Sequence, residues 1–333
     1  MQDHIHAFRE FLQKAGFSGS ILISKNWKIE FVESFGLASI ELHVANNNNT
    51  IYRIASITKQ FTAAAILKLV EEGRISVEDP LDLFLPDFPN GNIIRIHHLL
   101  SNTSGVAGFH LEDDFYEALH QEDVTLGLIQ MFKDQPLAFE PGTSYDYSNS
   151  GYLLLGKIIE IVSGMDYNHY LKKTIFDPLG MHHTMCESHE MIIPGRASLY
   201  DFQNGQTINA RPIDMRIAGA GGNLLSCVRD LHVWNQALYS YKVLTQSGFD
   251  AMIHSHFEIV KSTDYGYGLF LEKMTEEGFP RRRNYHTGGG PGVRSINAIY
   301  PDDGLEVIIL SNLNHRDIFH KVLKETERFA FFL

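Results

Sequence analysis

Apolar residues along this chain follow a helical spacing in some segments and a strand-like spacing in others. Near the N-terminus, Ile5, Phe8 and Leu12 recur on one face before Gly16, which predicts an amphipathic helix over residues 4–15. The same spacing, with capping or stop residues at the ends, predicts further helices over residues 58–72, 125–132, 150–162 and 315–332.

Two hairpins are predicted, one near each end of the chain. The runs SGSILISK and WKIEFVESFG are rich in β-forming residues and flank a turn at Asn26. Residues 296–312 read as a second hairpin that turns at residues 302–304. Sheet-forming segments therefore come from both ends of the chain, with the helices mostly between them.

This order predicts an α+β protein with an antiparallel sheet flanked by helices and a mostly helical domain beside it. The 333 residues are 44% apolar and 20% charged, so the chain has enough apolar residues to fill the core of such a protein. No repeat or long linker interrupts the sequence. We expect the functional site at the junction of two domains, a sheet domain of residues 1–55 and 215–333 and a helical domain of residues 56–214.

Charge and hydropathy exclude several classes of partner. With 28 Lys and Arg against 40 Asp and Glu, the net charge of −12 argues against nucleic acid. No stretch approaches the roughly 18 apolar residues of a membrane span, and the N-terminus lacks a cationic start followed by an apolar run. The expected location is cytoplasmic as the chain stands, or periplasmic or extracellular if a signal was removed. The oligomeric state is not indicated.

No metal site or cofactor is predicted. Cys186 and Cys227 lack CxxC spacing, so neither a disulfide framework nor a thiolate zinc site is indicated. The 17 histidines cluster at residues 97–98, 182–183 and 254–256, but none forms HExxH or has acidic residues at ligand spacing. A Gly-x-Ser-x-Gly elbow is absent, which argues against an α/β-hydrolase.

Ser56 is the one serine of the chain with a lysine three residues further on, Lys59. A serine hydroxyl is a weak nucleophile until a base takes its proton, and residues three apart on a helix share a face. The pair stands where the helix of residues 58–72 begins, beside the positive end of its dipole. Lys59 can act as a base only if its pKa lies below the usual value of about 10.4. Taken alone, the pair is equally consistent with an ordinary helix start.

Tyr147-Ser148-Asn149 is the single Tyr-x-Asn of the chain and precedes the helix of residues 150–162. A phenol that faces a lysine can carry a proton to a leaving group, and a carboxamide can hold both the lysine and a substrate amide. The alternative is a turn followed by a helix N-cap, which either Ser148 or Asn149 could provide.

The run HTGGGPG begins at His286 and precedes the second hairpin. Glycines on a strand edge let a substrate backbone approach closely, and an exposed amide there could pair with that of Ser56 as an oxyanion hole. A flexible turn and an anion-binding glycine loop are the alternatives. No Gly-Lys-Ser/Thr follows, so a P-loop is excluded.

Together the motifs Ser-x-x-Lys, Tyr-x-Asn and His-Thr-Gly occur once each and in this order. With these three motifs the chain resembles the serine β-lactamase and penicillin-binding-protein superfamily. It is similar to the branch with class C β-lactamases, D-alanyl-D-alanine carboxypeptidases, D-aminopeptidases and β-lactamase-like esterases. The likeness extends through segments such as YRIASITKQFTAAAILKLVEEGRISVEDPL, FEPGTSYDYSNSGYLLLGKIIE and HTGGGPGVRS and so covers nearly the whole chain.

The resemblance implies a β-lactamase/transpeptidase-like fold and acyl-enzyme chemistry. It implies that Ser56 is the acylated nucleophile and that Lys59 and Tyr147 are the base and the proton shuttle. The implied substrate-binding residues are Asn149, His286, Thr287 and Gly288, and the implied oxyanion hole consists of the backbone amides of Ser56 and Gly289.

The leading expectation is a serine hydrolase for small-molecule or peptide substrates, either a penicillin-binding-protein-like D-amino-acid peptidase or a weak β-lactamase. A carboxylesterase and a non-catalytic penicilloyl-binding or sensor protein are the alternatives. His286 stands where typical class C enzymes carry lysine, which removes a constant positive charge and argues against efficient β-lactamase activity. Arg294 is a candidate for that charge, or an exposed structural arginine. Loops over residues 106–140 and 190–220 are expected to shape the pocket.

Overall fold

The computed structural model describes residues 2–109, 115–188, 190–276 and 279–333. The helices are α1 (Gln2–Lys14), α2 (Thr58–Glu71), α3 (Ile96–Leu100), α4 (Tyr116–Leu119), α5 (Val124–Phe132), α6 (Asn149–Ser163), α7 (Tyr167–Leu171), α8 (Asp177–Leu179), α9 (Gly219–Gly222), α10 (Val228–Tyr239), α11 (Gln246–Met252) and α12 (Arg316–Phe332). Short 3₁₀ helices cover Ala55–Ile57, Leu81–Leu83 and Met215–Ile217, and a π-helical turn covers Lys172–Phe176.

The strands are β1 (Gly19–Lys25), β2 (Lys28–Phe35), β3 (Leu37–Ser39), β4 (Val44–Ala45), β5 (Tyr52–Arg53), β6 (Met185–Cys186), β7 (Tyr200–Gln203), β8 (Gln206–Asn209), β9 (Leu224–Ser226), β10 (Phe257–Val260), β11 (Thr263–Tyr265), β12 (Phe270–Glu276), β13 (Phe279–Gly290), β14 (Val293–Tyr300), β15 (Leu305–Ser311) and β16 (Leu313–Asn314). Eight of these described strands form one antiparallel sheet in the order β10-β11-β12-β13-β14-β15-β1-β2. Both predicted hairpins are present in it, as β1–β2 and β14–β15, and the predicted α+β class is confirmed.

The pairing of β1 with β15 joins the two ends of the chain within this sheet, one strand in from its β2 edge. Gly19 lies opposite Ser311 and Lys25 opposite Leu305. Both faces of β1 are buried, which explains why the apolar residues Ile21, Leu22 and Ile23 follow one another instead of alternating with polar ones. On one face, Ile21 packs in a core with α1 and α12, and on the other face Leu22 packs in the core shared with the helical region.

The helices predicted from apolar spacing are confirmed to within two residues at their ends. Gly73 and Gly164 end α2 and α6 with φ angles of +68° and +71°, which is the left-handed conformation that glycine adopts without a Cβ clash. Within the described residues, no helix combines the length and the apolar character needed to cross a bilayer. The division of the chain at residues 55/56 and 214/215 stays a prediction, and residues 110–114 of the expected pocket loop lie outside the described residues.

Candidate active site

Ser56 lies in the 3₁₀ turn Ala55–Ile57 that leads directly into α2. A 3₁₀ turn has about three residues per turn, so a side chain three residues further on lies directly above it. Lys59 is that residue, and its Nζ lies 3.3 Å from Ser56 Oγ. The pair predicted from sequence spacing is therefore in contact.

The turn that carries Ser56 is strained at the residue before it. Ala55 has a φ of +46°, in the left-handed region that alanine rarely adopts. Such a residue costs about 1–3 kcal/mol and persists only where the surroundings enforce it. Here Ile54 N donates to Leu224 O at 3.0 Å, which ties the turn to β9.

Lys59 is fully buried, and its amine is surrounded by oxygen acceptors. Nζ donates to Asn149 Oδ1 and to Gly221 O, both at 2.8 Å. The ring centroids of Tyr147 and Tyr152 lie 4.6 and 5.2 Å from Nζ. Burial lowers the pKa of Lys59 from 10.5 to about 7, because the charged ammonium is desolvated there. A substantial neutral fraction of the amine is therefore present near pH 7.

The three side chains of the Tyr147-Ser148-Asn149 motif make different contacts. Ser148 caps α6, since its Oγ accepts from Gly151 N at 3.0 Å. Asn149 is thereby free to face Lys59, so the capping interpretation and the active-site interpretation of this motif apply to different residues. Tyr147 is 36% exposed. Burial of its phenol hydroxyl among neighbouring side chains raises the pKa of Tyr147, whereas a hydrogen bond with Ser56 lowers it.

The HTG run forms the end of β13, where one edge of the strand is open. The β12 ladder on that strand ends with Phe270 opposite Tyr285, whereas the β14 ladder continues to Gly290. Residues 286–290 are thus paired on the β14 side, and their other edge has backbone groups available to an extended substrate. Thr287 is exposed and lies opposite Ile296 in this register.

Gly288 permits β13 to approach the turn that carries Ser56. A Cβ at this position would lie 2.2 Å from Ser295 Oγ and 2.3 Å from Ile54 O. Ser295 Oγ donates to Ile54 O at 2.9 Å, which holds the turn against the sheet. A larger residue would have to push the strand away from Ser56.

His286 is buried and neutral. It is 1% exposed, its Nδ1 lies 2.7 Å from Thr287 O, and its Nε2 lies 3.3 Å from the hydroxyl of Tyr265. Burial and the nearby Lys59 lower the pKa of His286 to about 3. A ring that donates through Nδ1 and accepts through Nε2 fits these partners. The position that carries a lysine in class C relatives has no charge here.

Arg294 does not supply the missing charge. Side chains alternate between the two faces of a strand, and Ser295 points at Ile54 on the face of the site. Arg294 therefore points to the opposite face, where its Nε donates to Asn314 Oδ1 at 2.7 Å. It has the structural role that was the alternative in the sequence.

The cleft beside Ser56 is small and largely apolar, with a volume of about 100 Å³. Gly289 and Gly290 line it with Ser56, so the proposed oxyanion residues border the same space. Arg53 also lines the cleft and forms a bidentate ion pair with Glu187, in which Nε and Nη2 lie 2.5 and 2.9 Å from the carboxylate oxygens. The sequence did not point to this pair or to the acceptor at Gly221, because neither spacing nor motif connects residues so far apart.

A cluster of three potential metal ligands lies elsewhere, at the start of α10. The ligand atoms of His183, Cys227 and Asp230 lie within 4.8 Å of one another, a grouping that sequence spacing did not predict. These groups already have structural partners. Asp230 Oδ2 accepts from His183 N and Thr184 Oγ1 at 2.8 Å each, and Cys227 Sγ accepts from Asp230 N at 3.5 Å. The cluster therefore ties the chain before β6 to the N-terminus of α10.

Comparison with known proteins agrees with the fold. The family model for beta-lactamases matches residues 5–328. Penicillin-binding protein 4* of Bacillus subtilis (strain 168) is 30% identical over 98% of this chain and 76% of its own length.

Two solved structures have a similar fold over nearly the whole chain. A penicillin-binding protein from Bacillus halodurans is 27% identical with a TM-score of 0.82, covering 95% of this chain and 99% of that one. A D-stereospecific amidohydrolase from Streptomyces sp. is 26% identical with a TM-score of 0.78, covering 93% and 94%. The fold is thus of the β-lactamase/transpeptidase type. The chain belongs to the beta-lactamase family, in the superfamily of serine β-lactamases and penicillin-binding proteins.

Proposed function

We propose that this chain is a serine hydrolase that forms an acyl-enzyme on Ser56 and cleaves amide bonds of D-amino-acid derivatives, as a penicillin-binding-protein-like peptidase. The observation that carries the proposal is the buried amine of Lys59, 3.3 Å from Ser56 Oγ and with a pKa lowered to about 7. A base near neutrality beside a serine hydroxyl is what this chemistry requires.

Lys59 is oriented to accept a proton from Ser56. A neutral amine has two N–H groups and one lone pair. The two acceptors at 2.8 Å, Asn149 Oδ1 and Gly221 O, take the two N–H groups. The lone pair then remains for the Ser56 hydroxyl, which lies at the longer distance of 3.3 Å.

In the acylation step, Ser56 Oγ attacks the substrate carbonyl and gives its proton to Lys59. The negative charge on the carbonyl oxygen is held by the amides of Ser56 and Gly289, and the open edge of residues 286–290 aligns the substrate backbone. Tyr147, hydrogen-bonded to Ser56 and close to Lys59, passes the proton to the leaving amine. Water then attacks the ester, Ser56 recovers its proton and the acid leaves.

The D-amino-acid substrate class is supported by the similar proteins, which include penicillin-binding proteins and a D-stereospecific amidohydrolase. A carboxylesterase is the second candidate, favoured by the apolar wall of the cleft. A neutral His286 argues against efficient turnover of β-lactams, which carry a carboxylate.

Mass spectrometry after treatment with an uncharged alkyl fluorophosphonate tests the nucleophile. Loss of fluoride and formation of one Oγ–P bond should label the peptide that contains Ser56 in the wild type, and Ser56→Ala should remain unlabelled. Ser247→Ala is the matched control, because Ser247 is exposed on α11 and should not affect labelling. Labelling that persists in Ser56→Ala would refute the assignment.

Substrate assays separate the candidate functions. Faster hydrolysis of D- than of L-aminoacyl anilides supports the peptidase, and hydrolysis of p-nitrophenyl esters alone supports the esterase. Stable labelling by a fluorescent penicillin without any turnover would make the chain a penicilloyl-binding or sensor protein.

A further inference from the structure

We infer that Arg53 determines the substrate specificity of this site, because its guanidinium binds a carboxylate on a short side chain of the acyl part of the substrate. The preferred substrate is then an N-acylated acidic D-amino acid, cleaved at its α-carbonyl as an amide or an ester. This inference rests on the proposed function, since it assumes that Ser56 attacks that carbonyl.

Arg53 is held next to the nucleophile by the backbone. It is the last residue of β5, where it pairs with Leu225 of β9, and the 3₁₀ turn that carries Ser56 begins two residues later. Its side chain lines the cleft beside Ser56. The position of the guanidinium relative to the nucleophile is therefore set by a paired strand and a short turn.

The charges of the buried cluster around Arg53 do not cancel. Nε and Nη2 of Arg53 bind the two oxygens of Glu187 at 2.5 and 2.9 Å, and Arg196 Nη1 donates to Glu187 Oε1 at 3.0 Å. Two guanidinium groups thus share one carboxylate, which leaves one positive charge on the cluster. The side chains of Arg53 and Glu187 are only 11% and 6% exposed, so water screens this charge weakly. A substrate carboxylate would balance it.

Arg53 also has N–H groups for such an anion. A guanidinium carries five of them. Glu187 takes one from Nε and one from Nη2, and Ile213 O lies 3.4 Å from Nη2. Among the residues that the structure describes, Nη1 has no hydrogen-bond acceptor. Its two N–H groups can form charge-assisted hydrogen bonds with a carboxylate in the cleft.

The cleft lies on the acyl side of the scissile bond. Ser56 and Gly289 line it, whereas Tyr147 does not. In the proposed mechanism Tyr147 gives a proton to the leaving amine, so the leaving group lies on the side of Tyr147 and the acyl part points into the cleft. His286 does not line the cleft either, so Arg53 acts independently of that neutral ring.

The cleft has room for a short side chain, since its volume is about 100 Å³. A water molecule occupies about 30 Å³ in the liquid, so the occupant replaces roughly three water molecules. A carboxymethyl or carboxyethyl group has this size. Ile213, Met215, Ile217 and Val293 form an apolar wall that suits its methylene groups, and Arg53 supplies the partner for its charge.

Turnover of two matched anilides tests the inference on the wild-type protein. N-acetyl-D-glutamic acid α-p-nitroanilide and N-acetyl-D-glutamine p-nitroanilide have the same shape and differ in the side-chain carboxylate. The charge-assisted hydrogen bond should make kcat/KM for the glutamate substrate about 10- to 100-fold higher at pH 7. Thiobenzyl esters of the same two acyl groups repeat the comparison with a better leaving group.

Two substitutions in the ion pair should change this preference in opposite directions. Arg53→Gln removes the guanidinium, so the glutamate and glutamine substrates should be cleaved with similar kcat/KM. Glu187→Gln keeps the shape of Glu187 and leaves the charge of Arg53 less compensated, so the ratio of kcat/KM for glutamate to that for glutamine should rise at least about threefold. A purely structural role of the pair would lower turnover of both substrates equally in both variants.

Arg9→Gln and Glu30→Gln are the matched controls. Arg9 pairs with Glu33, and Glu30 pairs with Lys28, at exposed positions outside the cleft. Both controls should keep the wild-type ratio. If a variant of the buried pair does not fold, the comparison of the two substrates on the wild type decides alone.

Equal or faster cleavage of the glutamine substrate by the wild type would overturn the inference, and so would a preference that Arg53→Gln leaves unchanged. Labelling of Ser56 by the uncharged fluorophosphonate separates this inference from the proposed function. With Ser56 labelled, and the glutamine substrate preferred or neither acyl group cleaved, only the substrate class is wrong. With Ser56 unlabelled and no anilide or ester cleaved, the proposed function fails, and this inference fails with it.

Discussion

Asn149→Asp alters the electrostatics of Lys59 while preserving the shape of the site. Asn149 Oδ1 accepts from Lys59 Nζ at 2.8 Å, and an aspartate there would keep that oxygen and add a negative charge. The wild-type amine has a pKa of about 7 because it is buried without a carboxylate partner among its hydrogen bonds in the described chain. The substitution supplies that partner and stabilises the ammonium.

The size of the effect follows from the distance. Two opposite charges 4 Å apart at an effective dielectric constant of about 20 attract by about 4 kcal/mol, and the separation here is shorter. Because about 1.4 kcal/mol corresponds to one pH unit, the pKa of Lys59 should rise by about 3 units, close to its ordinary range.

The assay is the pH dependence of acylation, measured as the burst of p-nitrophenol from an uncharged ester. Lys59 accepts a proton only when neutral, so the wild-type rate should rise with pH through about 7 and then level off. In Asn149→Asp the same rise should be displaced upward by about 3 pH units, which lowers the rate at pH 7 about 500-fold. Asn204→Asp, in the exposed turn between β7 and β8, should leave the profile unchanged.

A folded Asn149→Asp protein whose acylation rate rises with pH over the same range as in the wild type would refute the reasoning. The base would then be a group whose pKa does not depend on the charge at residue 149. Circular dichroism and the urea midpoint establish that the variant is folded.

Three further predictions concern the surrounding structure. Gly288→Ala should remove most activity and reduce the free energy of unfolding by about 1–3 kcal/mol, because its Cβ would lie 2.3 Å from Ile54 O. In Gly290→Ala the added Cβ would lie 3.5 Å from Val293, which is an ordinary contact, so this control should unfold like the wild type when both variants are compared in a thermal scan. Glu187→Gln should cost about 3 kcal/mol in urea denaturation by leaving Arg53 buried and unpaired, against less than about 1 kcal/mol for Glu30→Gln; equal losses would contradict this. The pKa values of His286 and His256 lie at about 3 and 4, below the ordinary 6.5, so the unfolded chain binds more protons in between. Stability should therefore fall as the pH is lowered from about 6.5 to 4, and His256→Gln should make that fall smaller in a series of urea midpoints.

Local features of the fold were readable from the sequence because they depend on neighbours along the chain. The helices of residues 58–72 and 150–162 follow from apolar spacing with glycine stops, and the contact of Ser56 with Lys59 follows from three residues per turn. The β-forming residues of SGSILISK indicated a strand, although only the pairing with β15 explained why both faces of β1 are buried.

The chemistry of the site was decided by contacts between distant segments. Lys59 contacts Asn149 and Gly221, which lie 90 and 162 residues away along the chain, only because the protein folds. The pKa of Lys59 is lowered because these surroundings exclude water from its amine. The exchange of lysine for His286 was visible in the sequence, but its neutrality was not, since desolvation is a property of the packed environment. Strand register likewise put Arg294 on the far face of the sheet. The identity of these groups and their closeness along the chain can be read from the sequence, whereas the charge state and the direction of each side chain depend on what surrounds it in space.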